Sequence, residues 1–180
     1  MNSYFKHLFA TGTMGLLLWF SAFAQIGNIG RLNTWTTREV ARAHNSTSQA
    51  SYVKTVRASE QNGFDRVVFE FEGPFPNYDL KYLKSPFYKG EAGRRRIRQP
   101  GKVFLMVEFF VVPTDDNQLK LHEVKDFTPK GRLRMPSVQS VKDEELFEGF
   151  YDFLVGVSAR KPFRITELSN PSRLVIDFKH

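Results

Sequence analysis

The chain has 180 residues, 41% of them hydrophobic, with 26 lysines and arginines against 19 aspartates and glutamates and a formal charge of +7. It contains no cysteine, which excludes disulfides, a thiol nucleophile and the lipid attachment of a bacterial lipoprotein. The apolar share suffices for a core built by burial alone, and residues 25–180 suit one domain, which at this size buries about two-thirds of its unfolded-chain surface.

Lys6 and His7 precede an apolar run from Leu8 to Phe20, and Ser21-Ala-Phe-Ala24 then places small residues where a signal peptidase reads. The pattern predicts a secretory signal peptide over residues 1–24, cut between Ala24 and Gln25. A membrane span needs roughly 20 apolar residues, and Thr11, Gly12, Thr13 and Gly15 interrupt this run. Later, the longest apolar run, Val103 to Val112, contains Glu108 and stops at Pro113, so no span is expected in the mature form. Loss of Lys6 with the signal leaves a basic protein outside the cytoplasm, which favours anionic polymers by long-range attraction and disfavours nucleic acid as the partner.

Residues 25–50 read as a polar lead or linker. Within it Thr36-Thr-Arg-Glu39 has the spacing of a capping box and predicts a short helix, unless the segment is frayed. The sequon Asn45-Ser-Thr47 is read as incidental.

From Tyr52 onward short β-branched and aromatic runs alternate with Gly, Pro and Asn, which predicts an all-β, two-sheet antiparallel sandwich or barrel-like domain over residues 51–180, with at most one or two short helices. Val67, Phe69 and Phe71 fall on one face of a strand over Asp65 to Glu72. Tyr78, Leu80 and Tyr82 repeat the pattern in Asn77 to Tyr82. Lys102 to Val112, apolar on both faces apart from Glu108, predicts a central strand covered from both sides. Between Thr114 and Ser140 only irregular structure is expected, with one short strand near Leu119-Lys-Leu121, and the acidic cluster of Ser140 to Glu148 is read as a helical turn. Three closing strands are expected near 150–157, 163–168 and 174–178, separated by breaks at Ala159-Arg-Lys-Pro162 and Asn170-Pro171.

The stretches Thr55-Val-Arg57, Asn62 to Gly73, Phe147-Glu-Gly149, Gly156, Pro162-Phe-Arg-Ile165 and Pro171-Ser-Arg-Leu-Val-Ile-Asp177 together resemble the AMIN-like domain family, over roughly Tyr52 to His180. That family looks related to the AMIN domains that accompany bacterial cell-wall amidases and pilus secretins. The resemblance implies an exported, non-catalytic module of two packed sheets, of the kind that localises partners on peptidoglycan. No catalytic domain follows in this chain, so any partner is expected to be a separate molecule, including envelope proteins.

Catalytic and metal chemistry find little support. His44, His122 and His180 are far apart and lack a metal-ligand spacing, and Ser158 in Gly156-Val-Ser-Ala-Arg160 lacks the second glycine of a nucleophile elbow. No cofactor is implied. Glu70 and Glu72 put two carboxyls on one strand face about 6.5–7 Å apart, a spacing that glycosidases also use, so a glycan-cleaving hydrolase is the enzymatic alternative. Same-strand carboxyls more commonly form a solvated stripe paired with a neighbouring base. Arg173 and Asp177 call for cross-strand partners, with Arg66 and Glu167 as candidates, and Glu148 and Asp152 invite the same reading.

The densest charge cluster, Arg94, Arg95, Arg96 and Arg98 with Lys102, sits among Gly90, Gly93 and Gly101 and predicts an exposed hairpin. It reads either as a solvated loop or as an anion-binding edge whose guanidinium forks suit carboxylate or phosphate groups of peptidoglycan or another envelope polymer. Phe75, Tyr78, Tyr82, Phe87 and Tyr88 crowd the preceding segment. Phe87 is expected in the core, whereas Tyr78 and Tyr82 either stack on sugar rings beside the arginines or cap a sheet.

Overall fold

The computed structural model describes residues 33–44, 50–111, 129 and 131–180. The signal peptide, the Asn45 sequon, the strand expected near Leu119 and His122 lie outside them. The described residues form eleven strands and no helix.

The first strand, β1 (Val40–Arg42), is followed by β2 (Tyr52–Gln61), β3 (Phe64–Glu72) and β4 (Asn77–Tyr82). A hairpin of β5 (Phe87–Gly90) and β6 (Gly93–Arg96) leads into β7 (Val103–Phe110), and β8 (Val138–Phe147), β9 (Phe150–Val157), β10 (Phe163–Leu168) and β11 (Arg173–Lys179) complete the fold. They build a five-stranded sheet, β1-β4-β7-β9-β8, a four-stranded sheet, β10-β11-β3-β2, and the separate β5-β6 ribbon. Every pairing is antiparallel.

The alternation in β3 makes one face of the four-stranded sheet apolar. Val67 and Phe69 are fully buried and stand opposite Ile176 and Leu174 of β11, so the stretches Asn62 to Gly73 and Pro171 to Asp177 are neighbours in one sheet. Their inner faces meet those of Leu105, Val107 and Phe109 of β7 and Phe153 and Val155 of β9 in one core. Phe69 packs edge-on against Phe109 and Phe153, both at 5.1 Å between ring centres. Burying each such side chain contributes about 1.5–3 kcal/mol.

The five-stranded sheet is also covered on its outer side. Phe104 and Met106 of β7 and Leu154 of β9 point away from the main core into a second cluster with Tyr88 and Ile97 of the ribbon segment. β7 is therefore central and covered from both sides, as its composition predicts. Gly101 and Gly156 permit this cover, since a Cβ on Gly101 would lie 2.7 Å from the Gly156 Cα.

Two local expectations are overturned. Thr36 Oγ1 does accept a hydrogen bond from the Arg38 N–H at 3.0 Å, the local contact of a cap, but no helix follows. Thr36 instead exchanges backbone hydrogen bonds with Phe163, and residues assigned to a linker form β1 on the edge beside β4. Ser140 to Glu148 is not a helical turn. Ser140 to Phe147 belong to β8, with Glu148 in the turn to β9, and the register of β8 against β9 shifts between Val138 and Ser140 and again between Asp143 and Glu145. These bulges break the period-two pattern by which a strand is recognised.

Candidate functional site

The ribbon forms because Gly90 and Gly93 pair across the two-residue turn Glu91-Ala92, with Gly93 at φ +100°. Its cross-strand pairs Phe87–Arg96 and Lys89–Arg94 occupy one face, and Tyr88–Arg95 the other. Tyr88 is turned inward and buried, its hydroxyl donating to Asp152 Oδ2 at 2.6 Å or to Glu145 Oε2 at 3.0 Å. Burial, followed by these two carboxylates, raises the Tyr88 phenol far above its usual range. Arg95 lies over the Tyr88 ring at 4.9 Å and pairs with Glu144, so it holds the ribbon down.

The outward face carries the other arginines. Arg94 and Arg96 are exposed, as are Lys89 and, beyond the ribbon, Arg98 and Lys102. None of these five has an ion-pair partner among the described residues. Phe87, expected in the core, is 36% exposed and lies beneath the Arg94 guanidinium at 4.2 Å, while its neighbour Tyr88 takes the buried position. Charge along the run thus divides by strand parity: Arg95 supports, and Arg94 and Arg96 face water.

The two other tyrosines singled out by sequence do not join this surface. Tyr78 and Tyr82 belong to the main core. Tyr78 donates to Glu167 at 2.5 Å and Tyr82 to the Lys161 carbonyl at 2.6 Å. Burial raises both phenols, and hydrogen bonding first from His44 and also from Tyr78 holds the Glu167 carboxyl below its ordinary value.

The expected stapling forms in part. Arg66 grips Asp177 through two hydrogen bonds of 2.7 and 3.0 Å, with Arg164 adding a third. Glu167 is taken by Tyr78 and His44, Arg173 donates to the Pro171 carbonyl, and Asp152 accepts from Tyr88 instead of a cation. Glu70 pairs with Arg57 at 3.1 Å on the outer face of the four-stranded sheet, and Glu72 is exposed beyond it. The neighbouring-base pairing is thus present at Glu70. No group of three His, Asp or Glu side chains among the described residues is arranged to hold a metal ion.

Sequence reading missed a row of acids on the outer face of the five-stranded sheet. Asp79 on β4 stands opposite Glu108 on β7, Glu108 opposite Asp152 on β9, and Asp152 opposite Glu145 on β8. Two adjoining cavities, about 260 and 430 Å³ in volume, run along this row and share Glu108 and Phe150 in their walls. Lys81 pairs with Asp79 at 2.8 Å. Burial and then the Asp152 charge raise the Glu108 carboxyl. Asp152 is raised by burial and by Glu145, against the opposing pull of the Tyr88 hydroxyl. The one sequence signal was Glu108, a lone acid in an apolar strand.

Comparison with curated proteins found no match, and comparison with solved structures found none. The profile of the AMIN-like domain matches residues 51–180, from the residue before β2 to the last residue of the chain. That interval contains both sheets except β1, the arginine ribbon and the acidic row, and on that match the chain belongs to the AMIN-like domain family.

Proposed function

We propose that the protein is an exported, non-catalytic module that binds an anionic polymer of the bacterial cell envelope, peptidoglycan first, through the outward face of the β5-β6 ribbon. The observation that carries this reading is the set of cations without an ion-pair partner among the described residues, Lys89, Arg94 and Arg96, continued by Arg98 and Lys102, around an exposed aromatic ring at Phe87. Guanidinium forks match carboxylates in a two-point geometry, and a ring beneath them offers an apolar platform for a sugar face. Arg95 and Tyr88 serve the site from behind by anchoring the ribbon. Tyr78 and Tyr82 are left out of it by their burial. Membership of the family supports an envelope-associated role, and the N-terminal pattern Leu8 to Ala24 supports export to the periplasm or cell surface.

Co-sedimentation of the purified protein with isolated sacculi at low salt tests this. Binding is expected to fall when Arg94 and Arg96 are both replaced by Ser and to weaken as salt rises. Equal sedimentation of the wild type and the double variant overturns the assignment of the ribbon.

A further inference from the structure

We infer that the acidic trough on the outer face of the five-stranded sheet is a second binding site, built for a primary ammonium group at the end of an aliphatic stem. Asp79, Glu108, Asp152 and Glu145 are in cross-strand register on four adjacent strands. Like charges placed opposite each other cost stability, so folding alone gives no reason to assemble such a row. Lys81 is held by Asp79 at one end, Arg42 lines the smaller cavity and Lys89 the larger, and Arg95 pairs with Glu144 outside the row. With Glu91 also in the wall, the acids lining the trough outnumber these cations.

A second observation points into the same trough. Asp152 is only 8% exposed and lines the larger cavity, yet its Oδ1 has no hydrogen-bond partner, while Oδ2 receives the Tyr88 hydroxyl. Glu108 can donate to the Asp152 carboxyl only while it is protonated, so once both are ionised no N–H or O–H group of the described residues reaches Oδ1, and a buried carboxylate oxygen left without a donor is costly. Around it Phe147 and Phe150 supply an apolar wall, and Phe147 is 42% exposed at the lip.

The shape of the row selects the cation. Adjacent strands stand about 4.8 Å apart, so their carboxyls form a line rather than the closed shell that a divalent ion needs, and no triad among the described residues converges on a metal. An ammonium group has three donors and no acceptor, and its methylenes lie favourably along aromatic rings. In the free protein, protons compete for the same oxygens. Asp79, Lys81, Tyr88 and Glu145 act on Glu108 and Asp152, while Arg42, Lys89 and Glu91 line the same cavities and Glu39 faces Asp79 and Lys81. Binding should therefore weaken on acidification as the carboxyls protonate.

The test is a titration of the purified protein with n-butylammonium chloride, followed by amide chemical shifts, with calcium chloride at matched ionic strength as the control. Saturable shifts are expected at Glu108, Asp152, Phe147 and Phe150. Glu108→Gln should weaken binding about tenfold, the scale of one charged hydrogen bond. Phe147→Ser, at the exposed lip, should weaken it about threefold through loss of a cation–aromatic contact, and it tests the site without touching the acidic row. No saturable shift in the wild type, unchanged binding in both variants, or equal affinity for calcium overturns the inference. Replacement of Arg94 and Arg96 by Ser should leave amine binding unchanged, so this site stands or falls apart from the ribbon. Acetylating the amines of isolated sacculi tests the carrier: reduced sedimentation assigns the group to wall peptides, and unchanged sedimentation removes wall peptides as its source.

Discussion

Glu108 on β7 and Asp152 on β9 face each other directly across one sheet, and both carboxyls are raised above their ordinary values by burial and acidic neighbours. A carboxyl raised in the folded state contributes to stability while protonated. That contribution is complete below the unfolded values, 4.5 for Glu108 and 3.8 for Asp152, and is lost as pH rises through the folded ones. Glu108→Gln is expected to stabilise the protein by about 0.2–1 kcal/mol at neutral pH, the scale of one like-charge cross-strand pair. The gain should shrink toward pH 4, as urea melts at both pH values will show. A loss of stability at neutral pH would contradict the assigned repulsion.

Tyr88 anchors the ribbon through Asp152 and Glu145. Tyr88→Phe keeps the ring in its apolar cluster and removes the hydroxyl, at a cost of about 1.5–3 kcal/mol for a hydrogen bond to a charged group. The expected result is local. Amide exchange should accelerate in residues 87–96 while β3 and β11 keep their protection, and binding to sacculi should fall with the ribbon's order.

Asp65 is fully buried and accepts from the backbone N–H groups of Ser137 and Val138 at 2.6 and 2.7 Å, with the His180 ring at 2.9 Å from its other oxygen. It fastens the start of β8 to β3 across the sandwich. Asp65→Ala strands two buried donors and is expected to cost about 3 kcal/mol or more. Asp65→Asn, which retains one carbonyl acceptor, should cost less. Denaturant midpoints for the two variants give the order.

Gly156 lies where the segment before β7 crosses β9. A Cβ there would fall inside contact distance of the Pro100 carbonyl oxygen and the Ser140 hydroxyl, which themselves form a hydrogen bond. Gly156→Ala is expected to destabilise by about 1–3 kcal/mol or more, because a backbone carbonyl cannot step aside as a flexible side chain does. Gly63→Ala meets no atom within 4 Å and is strained only by its φ of +82°, so it should cost less in the same melts.

Where one face of a strand alternates cleanly, the sequence is sufficient to find it. β3, β4, β9, β10 and β11 lie where period two and the Pro and Asn breaks put them, and the all-apolar run of β7 marked the centre of its sheet. β8 was hidden because two bulges and the charged run Lys142 to Glu145 erase alternation. β1 was hidden because Thr36 makes the same local hydrogen bond at a helix start and at a strand bridge, and only its long-range partner Phe163 decides between them. The arginine ribbon was legible as glycines framing a basic run. Its division into supporting and outward residues was not, since parity exchanged the expected places of Phe87 and Tyr88. Of the acidic row only Glu108 left a trace in the sequence, and its alignment with acids on three other strands did not, because register is a property of pairing and not of any one segment.

The pairing of β3 with β11 joins residues 64–70 to residues 173–179, at opposite ends of the β domain. In a polypeptide delivered from its N-terminus, β3 presents a bare edge until β11 arrives. Closure of the four-stranded sheet is therefore postponed rather than progressive, and it waits on the strand farthest from β3 along the domain.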